Sequence, residues 1–202
     1  MEGKFWKIME GIADIFILNT LFLLSCLPVF TVGAAFVALY ETWFQIRAKT
    51  NSTLLRTYWA AFLHNVKQAS FLWILYVFLA VDAGLILWSL GEGEILFLIK
   101  TSRACQVILA VFVLIYVFTL VYIFPIAAYF RCSAKQCLID AAGLSFRHLP
   151  ETAYILFIWI FTVILIRFVP FLLMLLPALA CRLTAEVTGR LFQLHTVEGN
   201  GD

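Results

Sequence analysis

The chain has 202 residues, of which 64% are hydrophobic and only 13% charged, with a mean hydropathy of +1.00. So few charges cannot cover the surface of a water-soluble domain, and lipid is the expected solvent. A net charge of +2 gives no basis for nucleic-acid binding.

The N-terminal Lys4 and Lys7 precede an apolar run in the manner of a signal peptide. Asp14 interrupts that run, and no small-residue cleavage site follows. An uncleaved first crossing is therefore expected. Residues 12–46 are apolar for longer than one crossing needs, about 20 residues for a hydrocarbon core of about 30 Å. Pro28 cannot donate to a helix and pushes Leu27 towards extended geometry, so a helical hairpin is predicted, with helices over 12–27 and 32–45. Charge does not decide whether this hairpin crosses fully or re-enters.

Residues 52–66 place Leu54, Leu55, Tyr58, Trp59, Phe62, Leu63 and Val66 at helical spacing, which predicts an amphipathic helix lying at the interface. A crossing over 68–90 follows. Ile95 to Ile99 is apolar but too short to span, and is expected to dip into the interface. The next crossing covers 104–130, with a kink expected at Pro125. A second interfacial helix is predicted over 134–148, with Leu138, Ala142, Phe146 and Leu149 along one face. Pro150 suits the first turn of the crossing over 151–168. A last crossing over 171–188, with Pro177 inside it, leads to a frayed tail.

The fold class is thus all-α: a single polytopic transmembrane domain, a bundle of about six transmembrane helices with two short cytoplasmic interfacial helices. Placing both termini in the cytoplasm puts Lys4, Lys7, Arg47, Lys49, Arg56, Lys67, Arg131, Lys135, Arg147, Arg182 and Arg190 inside. Only Lys100, Arg103 and Arg167 remain outside, which is the orientation that basic residues prefer. An offset of 84 residues aligns Arg47 with Arg131, Phe62 and His64 with Phe146 and His148, and Ala69 with Ala153. Its few identities suggest a parallel internal repeat.

Asp82 stands out among the polar residues. It is expected about 12 Å below the outer surface at 1.5 Å per residue, where an ionisable side chain needs a partner. Arg167 lies at similar depth, so an Asp82–Arg167 contact, direct or through water, is predicted. It would be either a structural ion pair or part of a proton or substrate site. Asn19 falls near mid-membrane and must hydrogen-bond inside the bundle; Asp14 and Glu41 fall near the inner edge, within reach of Lys67, Arg47 or Arg131. His64 and His148 are expected at the cytoplasmic interface, either reaching for water or contacting a partner.

Cys26, Cys105, Cys132, Cys137 and Cys181 contain no CxxC pair, so neither a disulfide nor a metal is expected. Catalytic and nucleotide-binding signatures are missing, so no enzymatic activity and no cofactor are expected. The run Leu27-Pro28-Val29-Phe30-Thr31-Val32-Gly33-Ala34-Ala35, with Ala38-Leu39-Tyr40 after it, resembles the N-terminal signature of the YesL-like family of small bacterial integral membrane proteins. The stretch from Phe62 to Ala69 is similar to that family's next recurring segment. The resemblance implies a protein of the bacterial plasma membrane, without catalytic residues, that accompanies carbohydrate uptake or its sensing. The expected function is that of a non-enzymatic accessory protein whose partners are the lipid bilayer and a membrane transport or sensor complex. The alternative is a small-molecule or ion transporter or channel using Asp82 and Asn19.

Overall fold

A computed structural model describes residues 2–48, 53–91, 103–130 and 133–198. Seven α-helices account for nearly all of them: α1 (Glu2–Ser25), α2 (Val32–Arg47), α3 (Leu54–Gly91), α4 (Arg103–Phe130), α5 (Ala134–Arg147), α6 (Leu149–Phe168) and α7 (Leu176–Glu198). Short 3-10 turns over Val29–Thr31 and Pro170–Met174 join α1 to α2 and α6 to α7. No strand occurs among the described residues.

The predicted hairpin break is present. α1 stops at Ser25, Pro28 is extended, and the hydroxyl of Thr31 donates to the carbonyls of Ser25 and Pro28 at 2.6 and 2.7 Å. These bonds close the turn that the proline opens. The return helix α2 is the centre of the bundle. It packs against α1, α3, α4 and α7, and ten of its sixteen residues are buried. Small side chains permit this. A Cβ added at Gly33 would collide with the carbonyl oxygen of Ala69 and lie 2.7 Å from the Cβ of Trp73, so only glycine lets α2 and α3 approach so closely.

Among the described residues, three segments are long and apolar enough to cross a bilayer: Val29–Arg47, Val111–Phe130 and Leu149–Phe168. Gly11–Ser25 is apolar but shorter. Large apolar side chains also stand outward along mid-helix faces, among them Phe16 on α1, Phe71, Ile74 and Phe78 on α3, and Phe157, Ile160 and Phe161 on α6. A helical bundle with such stripes is compatible with a membrane protein.

Several expected boundaries move. The predicted interfacial helix 52–66 and crossing 68–90 are one continuous helix, α3, of 38 residues. At 1.5 Å per residue it is about 57 Å long, well beyond the bilayer core. Neither proline nor glycine occurs between Leu54 and Ala83, so nothing breaks the backbone where the sequence turns polar. In the 84-residue repeat, Val66 occupies the position of Pro150. The second half accordingly breaks between α5 and α6, with His148 at φ −122° and ψ 62°, where α3 runs through. The predicted crossing 171–188 instead begins at Leu176, with Pro177 in its first turn, where a missing N–H costs nothing. The expected frayed tail is helical to Glu198, and Leu191 and Phe192 are buried. The expected dip at Ile95 to Ile99 lies outside the described residues.

The buried faces also differ from those expected. On α3 the inward line is Tyr58, Ala61, Asn65, Ala69, Leu72 and Tyr76, while Leu55, Trp59 and Leu63 are exposed. On α5 the inward residues are Cys137, Ala141 and Leu144, and Phe146 is exposed. Where lipid is the solvent, greasiness does not mark the inside; close-packing small residues and hydrogen-bonding residues do.

The Gly33 contact makes a direct test. Gly33→Ala is expected to cost about 1–3 kcal/mol in detergent-micelle unfolding, because the obstructing atom is backbone. Gly84, which has nothing within 4 Å of its added Cβ, is the control: Gly84→Ala should change stability by less than about 1 kcal/mol.

Candidate functional site

Polar groups inside an apolar bundle must be satisfied by protein, because no water is at hand. Most buried threonines do this locally: Thr42, Thr162, Thr184 and Thr188 each donate to the carbonyl four residues earlier at 2.7–2.9 Å. Asn19 does it across the bundle. Its side chain is fully buried, its Nδ2 donates to the carbonyl of Leu173 at 2.9 Å, and its Oδ1 accepts the backbone N–H of Ala178 at 3.1 Å. Ala178 is the third residue of α7, where an N–H has no intrahelical acceptor. Asn19 on α1 therefore caps α7 from a different helix, the role an N-cap side chain usually plays within its own.

Glu41 is also buried, 6% exposed. Its Oε2 accepts from Asn65 Nδ2 at 3.0 Å and its Oε1 from Gln45 Nε2 at 3.4 Å. Asn65 in turn donates to the carbonyl of Ala61. Side-chain amides thus contribute to this carboxylate's surroundings, where the sequence pointed to Lys67, Arg47 or Arg131, the last of which lies outside the described residues. Asp14 is half-buried on α1.

The predicted Asp82–Arg167 contact does not form as a direct ion pair. Both side chains are exposed, and no ion pair joins them among the described residues. Depth estimated from sequence places two residues at one height, but it does not say which way each faces on its helix. His64 is exposed, whereas His148 is half-buried, its Nδ1 3.9 Å from a Glu151 carboxylate oxygen. No contact joins the two histidines among the described residues. Cys26 and Cys181 are free thiols. Cys137 is disulfide-bonded, contrary to expectation; spacing along the chain does not reveal which sulfurs the fold brings together.

Among the described residues, cavities lie between the helices, and Asp82 lines none of the three described here. One of about 290 Å³ is walled by apolar and aromatic residues of α2, α3, α4 and α6, including Phe36, Tyr40, Trp73 and Trp159. A second, of about 390 Å³, is a groove between α4, α5 and α7. Ile126, Phe130, Ile139, Leu144 and Phe192 form its apolar part, with Asp140, Gly143 and Arg147 alongside. The third, of about 360 Å³, is a cleft where the C-terminal end of α2 meets α7, lined by Trp43, Phe44, Ile46, Arg47, Arg182, Ala185, Glu186 and Arg190. Sequence reasoning missed it. The one available signal was the spacing of Arg182, Glu186 and Arg190, four residues apart on one helix face.

No group of three or more potential metal-ligating side chains is found among the described residues. Asn19→Leu should remove both cross-bundle bonds and leave the Leu173 carbonyl and Ala178 N–H unpaired, costing about 1–3 kcal/mol in micelle unfolding. Thr20→Val, one residue along on the exposed face, should cost less than about 0.5 kcal/mol.

No curated protein and no solved structure matches the chain. Residues 15–85, which take in the C-terminal part of α1, the Pro28 turn, α2 and most of α3, carry a DUF624 domain, described as a protein of unknown function.

Proposed function

We propose that this protein is a non-enzymatic integral membrane accessory subunit that docks a partner of a transport or sensor complex through the groove between α4, α5 and α7. The observation that carries this reading is where the open space lies. The groove sits at the end of the bundle reached by the C-terminal parts of α4 and α7, and it combines an apolar floor with Asp140 and Arg147. Its surface suits a partner helix that inserts an apolar side chain and offers both a donor and an acceptor at the edge.

In this reading the helices make six crossings, with both termini and the α5 region on the cytoplasmic side of a bacterial plasma membrane. The balance of basic residues supports that orientation, as does the gathering of the α2 C-terminus, the α3 N-terminus and the second half of α7 at one end. Residues 15–85 match a family of unknown function, which leaves the YesL-like assignment, and with it a link to carbohydrate uptake or its sensing, resting on the resemblance in the first hairpin.

The transporter reading draws less support. Asn19 is saturated by backbone partners, and Asp82 lines no cavity described above.

Gly143 supplies the test. It is exposed, lines the groove, and nothing lies within 4 Å of its added Cβ, so Gly143→Trp fills the groove without disturbing the helix backbone. After mild cross-linking in native membranes, a subunit of a transport or sensor complex should co-purify with the wild-type chain and be lost with Gly143→Trp. A proton-coupled flux in liposomes that Asp82→Asn abolishes would establish the transporter instead.

A further inference from the structure

The cleft between α2 and α7 is not used by the docking reading, and its chemistry is different. Three guanidinium groups, from Arg47, Arg182 and Arg190, line one cavity with a single carboxylate, Glu186. Arg182 lies over the indole of Trp43, 5.3 Å from the ring centroid, with its Nε 3.8 Å from Glu186 Oε1. Arg47 Nη1 donates to the backbone carbonyl of Glu186 at 3.1 Å. These contacts fix two of the guanidiniums while using few of their donors, since each carries five N–H groups. Arg190 is exposed one turn beyond Glu186 and has no hydrogen bond or ion pair. Trp43, only 6% exposed, has an indole N–H that is buried with no hydrogen-bond partner.

A cavity with surplus guanidinium donors, two of them held in place, and an unsatisfied indole N–H lacks an acceptor with several oxygens. Glu186 alone does not balance three positive charges. We propose that this cleft binds a phosphate group, carried either by an anionic lipid headgroup or by a free phosphate anion. Guanidinium forks match phosphate oxygens in pairs, and basic pockets between helices near a membrane surface are suited to anionic headgroups. Gly189 belongs to the same design: its added Cβ would lie 3.2 Å from Arg47 Nη1, so glycine leaves that side chain room to sit in the cleft.

The test uses the full chain in phosphatidylcholine nanodiscs. One arm adds phosphatidylglycerol to the discs and reads lipid retention by native mass spectrometry. The other adds inorganic phosphate to discs without anionic lipid and reads binding by calorimetry. The wild-type chain should bind saturably in at least one arm, and the arm that responds identifies the source of the phosphate. Arg190→Gln should weaken that binding about tenfold. Because Arg190 makes no hydrogen bond or ion pair among the described residues, the variant should melt like the wild type. Arg182→Gln with Arg190→Gln should weaken it further, and Arg56→Gln, on the exposed face of α3, should leave it unchanged. Absence of saturable binding in both arms, or equal binding by the wild type and Arg190→Gln, overturns the proposal.

Discussion

The approach of α2 to α3 at Gly33 is the constraint on which the bundle depends. With no side chain at that position, the backbone of one helix rests against the Ala69 carbonyl and the Trp73 stem of the other. In lipid there is little hydrophobic force to bring helices together, so close contact of this kind does what burial of large apolar residues does in water. Ala34, Ala35 and Ala38 continue the small surface along α2, all fully buried, and α1, α4 and α7 pack around what remains. Aromatic rings fill the wider gaps. Phe36 meets Phe22, Phe124 and Trp159 with ring centroids 4.9–5.6 Å apart, and Phe44 meets Tyr129 at 5.3 Å.

A bundle assembled in this way has to dispose of its polar groups without water. Short-range bonds handle the threonines. Tyr76 and Thr119 satisfy each other's hydroxyls across α3 and α4 at 2.8 Å, and Thr152 bonds the Tyr122 hydroxyl at 3.2 Å. Asn19 is the longest-range case in sequence, tying α1 to the Pro170–Met174 turn and the start of α7, more than 150 residues away. A buried asparagine in an apolar bundle can suggest a ligand site; here its donor and acceptor are both spent on holding the last helix in register with the first.

Charge is distributed in the opposite way. One cluster of ionisable groups, Arg47, Arg182, Glu186 and Arg190, gathers where α2 ends and α7 runs past it. Arg47 in the last turn of α2 is well placed against the partial negative charge of that helix terminus, and it bridges to the α7 backbone at Glu186. Arg182 adds a cation–π contact to Trp43. These interactions clamp α2 to α7 at the same place where an unbalanced positive field is left over.

Much of the architecture is written in local chemistry. The all-helical fold follows from composition. Pro28 divides α1 from α2, Pro150 starts α6, and the need of Asn19 for internal partners follows from its apolar neighbourhood. Features that depend on which way a helix is rotated were not legible. The continuous α3 joined two segments that looked distinct because polarity, rather than a backbone breaker, was read as a boundary. Pro177 begins α7 instead of lying within a crossing, since the preceding turn, closed by tertiary contact with Asn19, sets where the helix starts. Asp82 and Arg167, expected at one depth, form no direct ion pair, whereas Arg47 and Arg182, 135 positions apart, share a cleft because α2 and α7 run side by side. Helical period and proline placement act over a few residues and are present in the sequence; rotation and pairing of helices in lipid come from small-residue packing between distant segments, which only the folded chain decides.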